Sequence, residues 1–185
     1  MLILLTAAML KKTRFIVWTI VTALMLTLLA ATQFTKEVQW NEVIAYCIIL
    51  LIAGSAYELW QWLKTRSNTY RLAFGVGFTG LFFLGWVSGA VGIIGSENNS
   101  ANLLYWAVPA VLLIGSLLSR LKPHGMAYTL LTTAVVQILV PFFALLVWPA
   151  QTTWGEAGVI GVFIFNSFFA VLFVASALLF WRAKS

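Results

Sequence analysis

A carboxylate within an apolar helix is the clearest candidate for chemistry in this chain. Glu58 lies in the apolar stretch 43–63, with Gln61 three positions later and Lys64 beyond it. A charge at the centre of a membrane costs about 2.5–3.5 kcal/mol, so such a group is paired, neutralised or reached by water. Gln61 shares the helix face of Glu58. Two interpretations stay open: a proton or cation site, or a structural carboxylate held by neighbouring helices or by Arg and Lys at the membrane boundary.

Two amide side chains occupy similar positions in later apolar stretches. Gln137 and Asn166 each lie near the middle of one. Amides inside a membrane commonly hydrogen-bond across helices, at about 0.6 kcal/mol on average. We expect them to join helices. If both face Glu58, the three side chains instead form a polar track suited to conduction or binding.

A polar stretch at 95–102 contains the chemistry-bearing residues outside the apolar segments. It supplies the Glu97 carboxylate and the amides of Asn98, Asn99 and Asn102. Oxygen ligands of these types bind hard cations. One carboxylate makes a weak site, and a turn with Asn102 as the N-cap of the next helix explains the same residues. We expect the cap.

Other catalytic residue types are scarce. The five acidic residues are all Glu, so no Ser-His-Asp set can form, and His124 and Cys47 are the only residues of their kinds. The sequence also lacks a phosphate-binding loop, a paired acidic motif and a His/Cys cluster with metal-ligand spacing. We therefore expect a protein that is not an enzyme and binds no metal and no cofactor.

The elements that position these residues follow from composition. Hydrophobic residues make up 62% of the chain and charged residues 9%, against about 45–50% and about 25% in soluble domains. The apolar residues form runs long enough for helices that cross a bilayer. We predict an all-α polytopic bundle forming a single membrane-embedded domain over residues 1–185. Its six spans are 14–32, 42–63, 72–94, 103–119, 126–148 and 157–181.

The basic residues predict the orientation of this bundle. Ten of the 11 Lys and Arg residues fall in alternate connections. By the positive-inside rule these connections, and both termini, are cytoplasmic. Lys36 is the exception. A nucleic-acid footprint would require the cations on one soluble face, so we expect no nucleic-acid partner. The four basic groups are Lys11, Lys12 and Arg14; Lys64, Arg66 and Arg71; Arg120 and Lys122; and Arg182 and Lys184.

The third span is rich in glycine. Gly85 and Gly89 form a GxxxG pair, and Gly92 follows on the same half of the helix. Such a face lets another helix approach closely. Packing within the chain and homodimerisation both fit, and we expect packing within the chain.

The stretch 85–105, Gly-Trp-Val-Ser-Gly-Ala-Val-Gly-Ile-Ile-Gly-Ser-Glu-Asn-Asn-Ser-Ala-Asn-Leu-Leu-Tyr, resembles an uncharacterised family of small bacterial multi-pass inner-membrane proteins. The resemblance extends to 57–59, to 166–170 and to 176–180, and so covers most of the chain. That family tends to have acid, acid, Asn, Pro in the outer motif, whereas Asn98 and Ser100 stand at the second acid and the proline here. This departure weakens a metal site. The resemblance implies a bacterial inner-membrane protein and supplies no activity.

These observations lead to two functional hypotheses. The first is a non-enzymatic membrane component with an accessory or interaction role, whose partners are the lipid bilayer and another membrane protein or a second copy of the chain. The alternative is a small proton- or cation-coupled transporter or channel that uses Glu58. A wet path from Glu58 to either surface would favour the transporter.

Overall fold

The computed structural model describes the backbone of residues 2–34, 40–147, 154 and 158–183, with side chains described in 12–31, 42–147, 154 and 158–183. Lys36, Glu37 and Glu156 of the predicted outer connections lie outside the described residues, as do positions 148 and 157 of the predicted spans. The elements, in chain order, are α1 (Leu2–Phe34), α2 (Trp40–Lys64), α3 (Asn68–Ala90), a 3₁₀ helix (Ser100–Trp106), α4 (Ala107–Leu118), α5 (Pro123–Val147) and α6 (Gly158–Arg182).

Six stretches of this helical chain are long and apolar enough to cross a membrane, at mean hydropathies of 1.6 to 2.4. The predicted six-span, all-helical architecture is confirmed, and the described residues contain no β-strand. Many large apolar side chains point outward, with Leu117 and Leu118 77% and 80% exposed. Such apolar surfaces suit lipid, and a helix pairs the backbone groups of its interior within the segment. The chain is an integral membrane protein.

The third span is shifted from its predicted bounds of 72–94. It begins at Asn68 because the Ser67 side chain accepts a hydrogen bond from the Tyr70 N–H at 3.3 Å and caps the helix. It ends at Ala90, and Gly92 adopts φ +73°, a left-handed conformation that glycine enters without steric cost. Gly92 therefore belongs to the turn after α3 and does not extend a packing face.

The chain divides into two compact units, residues 1–65 and 66–185. In the first unit α1 packs against α2. The Trp18 indole lies over Gly54, where a Cβ atom would be 3.3 Å from the ring. The absence of a side chain at Gly54 thus lets a large aromatic residue of α1 pack closely against α2.

In the second unit α5 packs against both α4 and α6, and α6 also packs against α3. Fully buried aromatic rings fill the space between α3 and α6, and the Tyr70 and Phe180 rings meet edge to face at 4.8 Å between centroids. The Ser176 hydroxyl donates to the Ala73 carbonyl at 2.7 Å, beside Gly77. These contacts fix α3 on α6.

One end of this second unit is strongly cationic. The start of α3 meets the α4–α5 connection through a 2.8 Å hydrogen bond from the Tyr70 hydroxyl to the Leu121 carbonyl. The end of α6 joins them, with the Trp181 and His124 rings 5.9 Å apart. The basic connections of this unit therefore gather at one end, the arrangement that the charge pattern predicts, while Glu97 follows the opposite end of α3. The cations at this end are Arg66, Arg71, Arg120, Lys122 and Arg182.

Candidate functional site

The Glu58 carboxylate on α2 is bound by two side chains of α1. The Arg14 Nε donates to Oε1 at 3.0 Å and to Oε2 at 2.7 Å. The Arg14 Nη2 also donates to Oε2, forming an ion pair. The Trp18 Nε1 donates to Oε1 at 3.0 Å. Each carboxylate oxygen thus accepts two hydrogen bonds.

The partner of Glu58 is not one of its sequence neighbours. Gln61 shares the helix face of Glu58 and Lys64 is the next basic residue along the chain, but the Lys64 ammonium lies 5.7 Å from the centroid of the Trp60 ring. Among the described residues, the hydrogen bonds to Glu58 come from Arg14 and Trp18. In the sequence, Arg14 stood out only as a basic residue at a predicted membrane boundary. Its contact with Glu58 is of the kind that the second interpretation describes, a structural carboxylate held by Arg or Lys at that boundary.

This geometry limits what Glu58 can do chemically. A guanidinium stays protonated in proteins, so Arg14 provides a permanent counter-charge. The two side chains are 54% and 23% exposed, respectively. The arrangement is a charge-assisted pair joining α1 to α2, and Glu58 is not an isolated acid.

Gln137 and Asn166 form a second polar cluster, inside the second unit. The Gln137 Nε2 on α5 donates to the Asn166 Oδ1 on α6 at 2.8 Å, and both side chains are fully buried. The Tyr105 hydroxyl, from the 3₁₀ helix, donates to the same oxygen at 3.0 Å, and the Asn166 Nδ2 donates to the Val162 carbonyl. The predicted hydrogen bond across helices is present, and Tyr105 is the member that sequence analysis missed.

One atom of this cluster has no partner. The Gln137 Oε1 is buried and accepts no hydrogen bond from the described residues. A buried, unsatisfied acceptor costs about 1–3 kcal/mol, comparable to or larger than what one hydrogen bond contributes. Gln137 is therefore the member of the cluster that contributes least to stability. Asn166 is its centre, because the Gln137 and Tyr105 hydrogen bonds both end on its oxygen.

We expect Gln137→Met to change the free energy of unfolding by less than about 0.5 kcal/mol, because the lost hydrogen bond is offset by removal of the unsatisfied oxygen. Tyr105→Phe should destabilise by about 0.5–1.5 kcal/mol, since only the bond to Asn166 is lost. Thermal unfolding of both variants in one detergent, followed by circular dichroism, measures this. The reverse order of stabilities would contradict the assignment.

The connection between α3 and the 3₁₀ helix is organised by Asn102. Its Oδ1 accepts from the N–H groups of Ile93 and Ile94 at 3.0 and 2.9 Å. Its Nδ2 donates to the carbonyls of Ile94 and Ser96 at 3.3 and 2.7 Å. A single amide, only 8% exposed, thus replaces the hydrogen bonds that the backbone loses where α3 ends.

The predicted N-cap at Asn102 is wrong. Asn99 caps the 3₁₀ helix, its Oδ1 accepting from the Ala101 N–H at 3.0 Å. The Asn98 amide donates to the exposed Glu97 carboxylate at 3.3 Å. Because the Asn102 oxygen already accepts two N–H groups, it is unsuited to bind a cation. The prediction missed a helix that starts two residues before Asn102.

Gly85 and Gly89 do not pack within the second unit. A Cβ atom at either position would meet no atom of the described residues within 4 Å. Together with Ser88 they line a cleft of about 480 Å³, which Glu97 and Trp106 also line. Within the described part of the second unit, these two glycines therefore form an open face.

The close helix contacts of the second unit use other glycines. A Cβ atom at Gly115 would lie 2.5 Å from the Thr129 Cγ2, and one at Gly125 would lie 2.4 Å from the Ser119 Cβ. The first contact joins α4 to α5, and the second joins Ser119, the residue after α4, to α5. Isolated glycines without a GxxxG pattern gave no signal in the sequence.

Within the described part of the chain, no three His, Cys, Asp or Glu side chains converge where a metal ion could bind. No protein-family model, curated protein or solved structure matches this chain. The polar contacts described above can join helices, and Gly85 and Gly89 offer an open face. The Glu58 carboxylate is held in an ion pair.

Proposed function

We propose that this protein is a non-enzymatic component of the bacterial inner membrane, with an accessory or interaction role and its cationic end in the cytoplasm. The observation that carries the proposal is the pairing of Glu58 with Arg14 and Trp18. An acid that carries protons or cations must release its counter-ion in each cycle, and two donors from α1 oppose that release. A structural pair has no such requirement.

The open glycine face supports an interaction role. A membrane helix gains no hydrophobic free energy by leaving lipid, so association depends on close van der Waals packing, which small residues permit. Gly85, Ser88 and Gly89 offer that surface on α3. The partner that fits is a transmembrane helix of another membrane protein or of a second copy.

Proton or cation transport is the second candidate function. One observation favours it: the Arg14 side chain is 54% exposed, so the ion pair is not sealed inside the first unit. A pair open on one side can exchange partners more readily than a buried one.

Proton flux into proteoliposomes under a pH gradient separates the accessory role from proton transport. We expect the native chain and Glu58→Gln to give the same flux as protein-free vesicles. Glu97→Gln is the matched control, because it removes a carboxylate that is exposed in the outer connection. Flux above background that Glu58→Gln abolishes and Glu97→Gln retains would overturn the accessory role.

A further inference from the structure

A second cavity, of about 610 Å³, opens at the cationic end of the second unit. It is lined by Arg66 and by the connection 119–125 between α4 and α5. Three of its lining residues, Arg66, Arg120 and Lys122, are cations, and none is acidic. Unlike the cleft lined by Gly85 and Gly89, this cavity has a lining whose charged residues are all positive.

The connection that builds the cavity has an unusual residue at its turn. The Leu121 N–H donates to the Ser116 carbonyl and the Arg120 N–H to the Leu117 carbonyl, the pair of bonds that defines a Schellman motif. The position that glycine usually occupies in this motif is Arg120, at φ 50°, followed by Leu121 at φ 56°. A left-handed backbone is unfavourable for arginine and leucine. Arg120 therefore occupies a position at which glycine would have the lower backbone energy.

The surface beside the cavity is apolar. Leu117 and Leu118, on the last turn of α4, are 77% and 80% exposed. The Trp181 ring, an amphipathic group typical of membrane boundaries, lies near His124, which lines the cavity. A ligand bound in the cavity would therefore be surrounded by cationic side chains, with the exposed apolar side chains of Leu117 and Leu118 beside it.

We propose that this cavity binds the phosphate-bearing headgroup of an anionic phospholipid, with an acyl chain along the exposed end of α4. Arginine binds phosphate through paired N–H groups, and basic pockets between transmembrane helices suit anionic headgroups. Inorganic phosphate offers the same phosphate group to the cations, but it has no acyl chain to contact Leu117 and Leu118. This inference is independent of the function proposed above.

Native mass spectrometry of the full chain in detergent tests the proposal, with phosphatidylglycerol and phosphatidylcholine added in equal amounts. We expect phosphatidylglycerol to be retained preferentially. Arg120→Gly and Lys122→Gln should each reduce that preference about fivefold, and the double variant about 25-fold. Arg71→Gln is the matched control, since Arg71 lies at the same end but outside the cavity and donates to Asn68.

Arg120→Gly also separates binding from folding. Because glycine suits the left-handed position, this variant should unfold at the same or a higher temperature while losing lipid. An unchanged preference for phosphatidylglycerol in the double variant would overturn the proposal, as would an equal loss in Arg71→Gln. Displacement of the lipid by inorganic phosphate at matched concentration would identify a soluble anion as the ligand and would also overturn it.

Discussion

Asn102→Ala is expected to destabilise the second unit by about 2–6 kcal/mol, because two buried backbone N–H groups lose their acceptor at about 1–3 kcal/mol each. Those groups belong to Ile93 and Ile94, which are 8% and 0% exposed, so water cannot readily replace the amide. The carbonyls of Ile94 and Ser96 lose a donor at the same time. The measurement is thermal or denaturant unfolding of the purified protein in one detergent, followed by circular dichroism.

Asn98→Ala is the control for this experiment. Asn98 is an exposed amide four residues earlier, and its described bond is to the Glu97 carboxylate. Its replacement should change the free energy of unfolding by no more than about 0.5 kcal/mol. Similar unfolding of Asn102→Ala and the native chain would show that Asn102 does not hold the end of α3.

Gly125→Ala is expected to destabilise the protein by about 1–3 kcal/mol, because the added methyl group over-packs a close helix contact. Its Cβ atom would lie 2.4 Å from the Ser119 Cβ, an atom next to the backbone that cannot turn away. Gly115→Ala should behave similarly, since its Cβ would meet the Thr129 side chain at 2.5 Å. The unfolding measurement described for Asn102 applies here.

Gly85→Ala is the matched control, with the opposite expected sign. It is also a glycine inside a transmembrane helix, but in the part of the chain that the structure describes a methyl group there meets no atom within 4 Å. Alanine is favoured over glycine in helices by about 1 kcal/mol, so the isolated protein should be unchanged or slightly more stable. Equal destabilisation by Gly85→Ala and Gly125→Ala would mean that the Gly85 face is covered.

Composition and the lengths of the apolar runs were sufficient to predict the helical architecture. Membrane helices need long apolar runs, and that requirement is local in sequence, so six spans could be counted without any tertiary information. Their ends were less predictable. Gly92 ends α3 through a backbone conformation, and the 3₁₀ helix at Ser100–Trp106 reads as part of an ordinary apolar span.

The partners of the candidate site residues could not be predicted in the same way. Glu58 meets Arg14 across 44 positions of sequence, and Asn166 meets Tyr105 across 61. Helix periodicity relates residues three or four apart and says nothing about which helices adjoin. The GxxxG pattern marks a surface that is able to pack, whereas Gly115 and Gly125 lie where the helices of the second unit do pack closely.

The 3₁₀ helix at the start of the fourth span has a geometric consequence for bilayer thickness. A 3₁₀ helix rises about 2.0 Å per residue and an α-helix about 1.5 Å. Its 7 residues therefore extend about 14 Å and the 12 residues of α4 about 18 Å, for a length of about 32 Å. Wound as α-helix throughout, the same 19 residues would reach only about 28 Å. The tighter winding lets the shortest span match a hydrocarbon layer of about 30 Å without added residues.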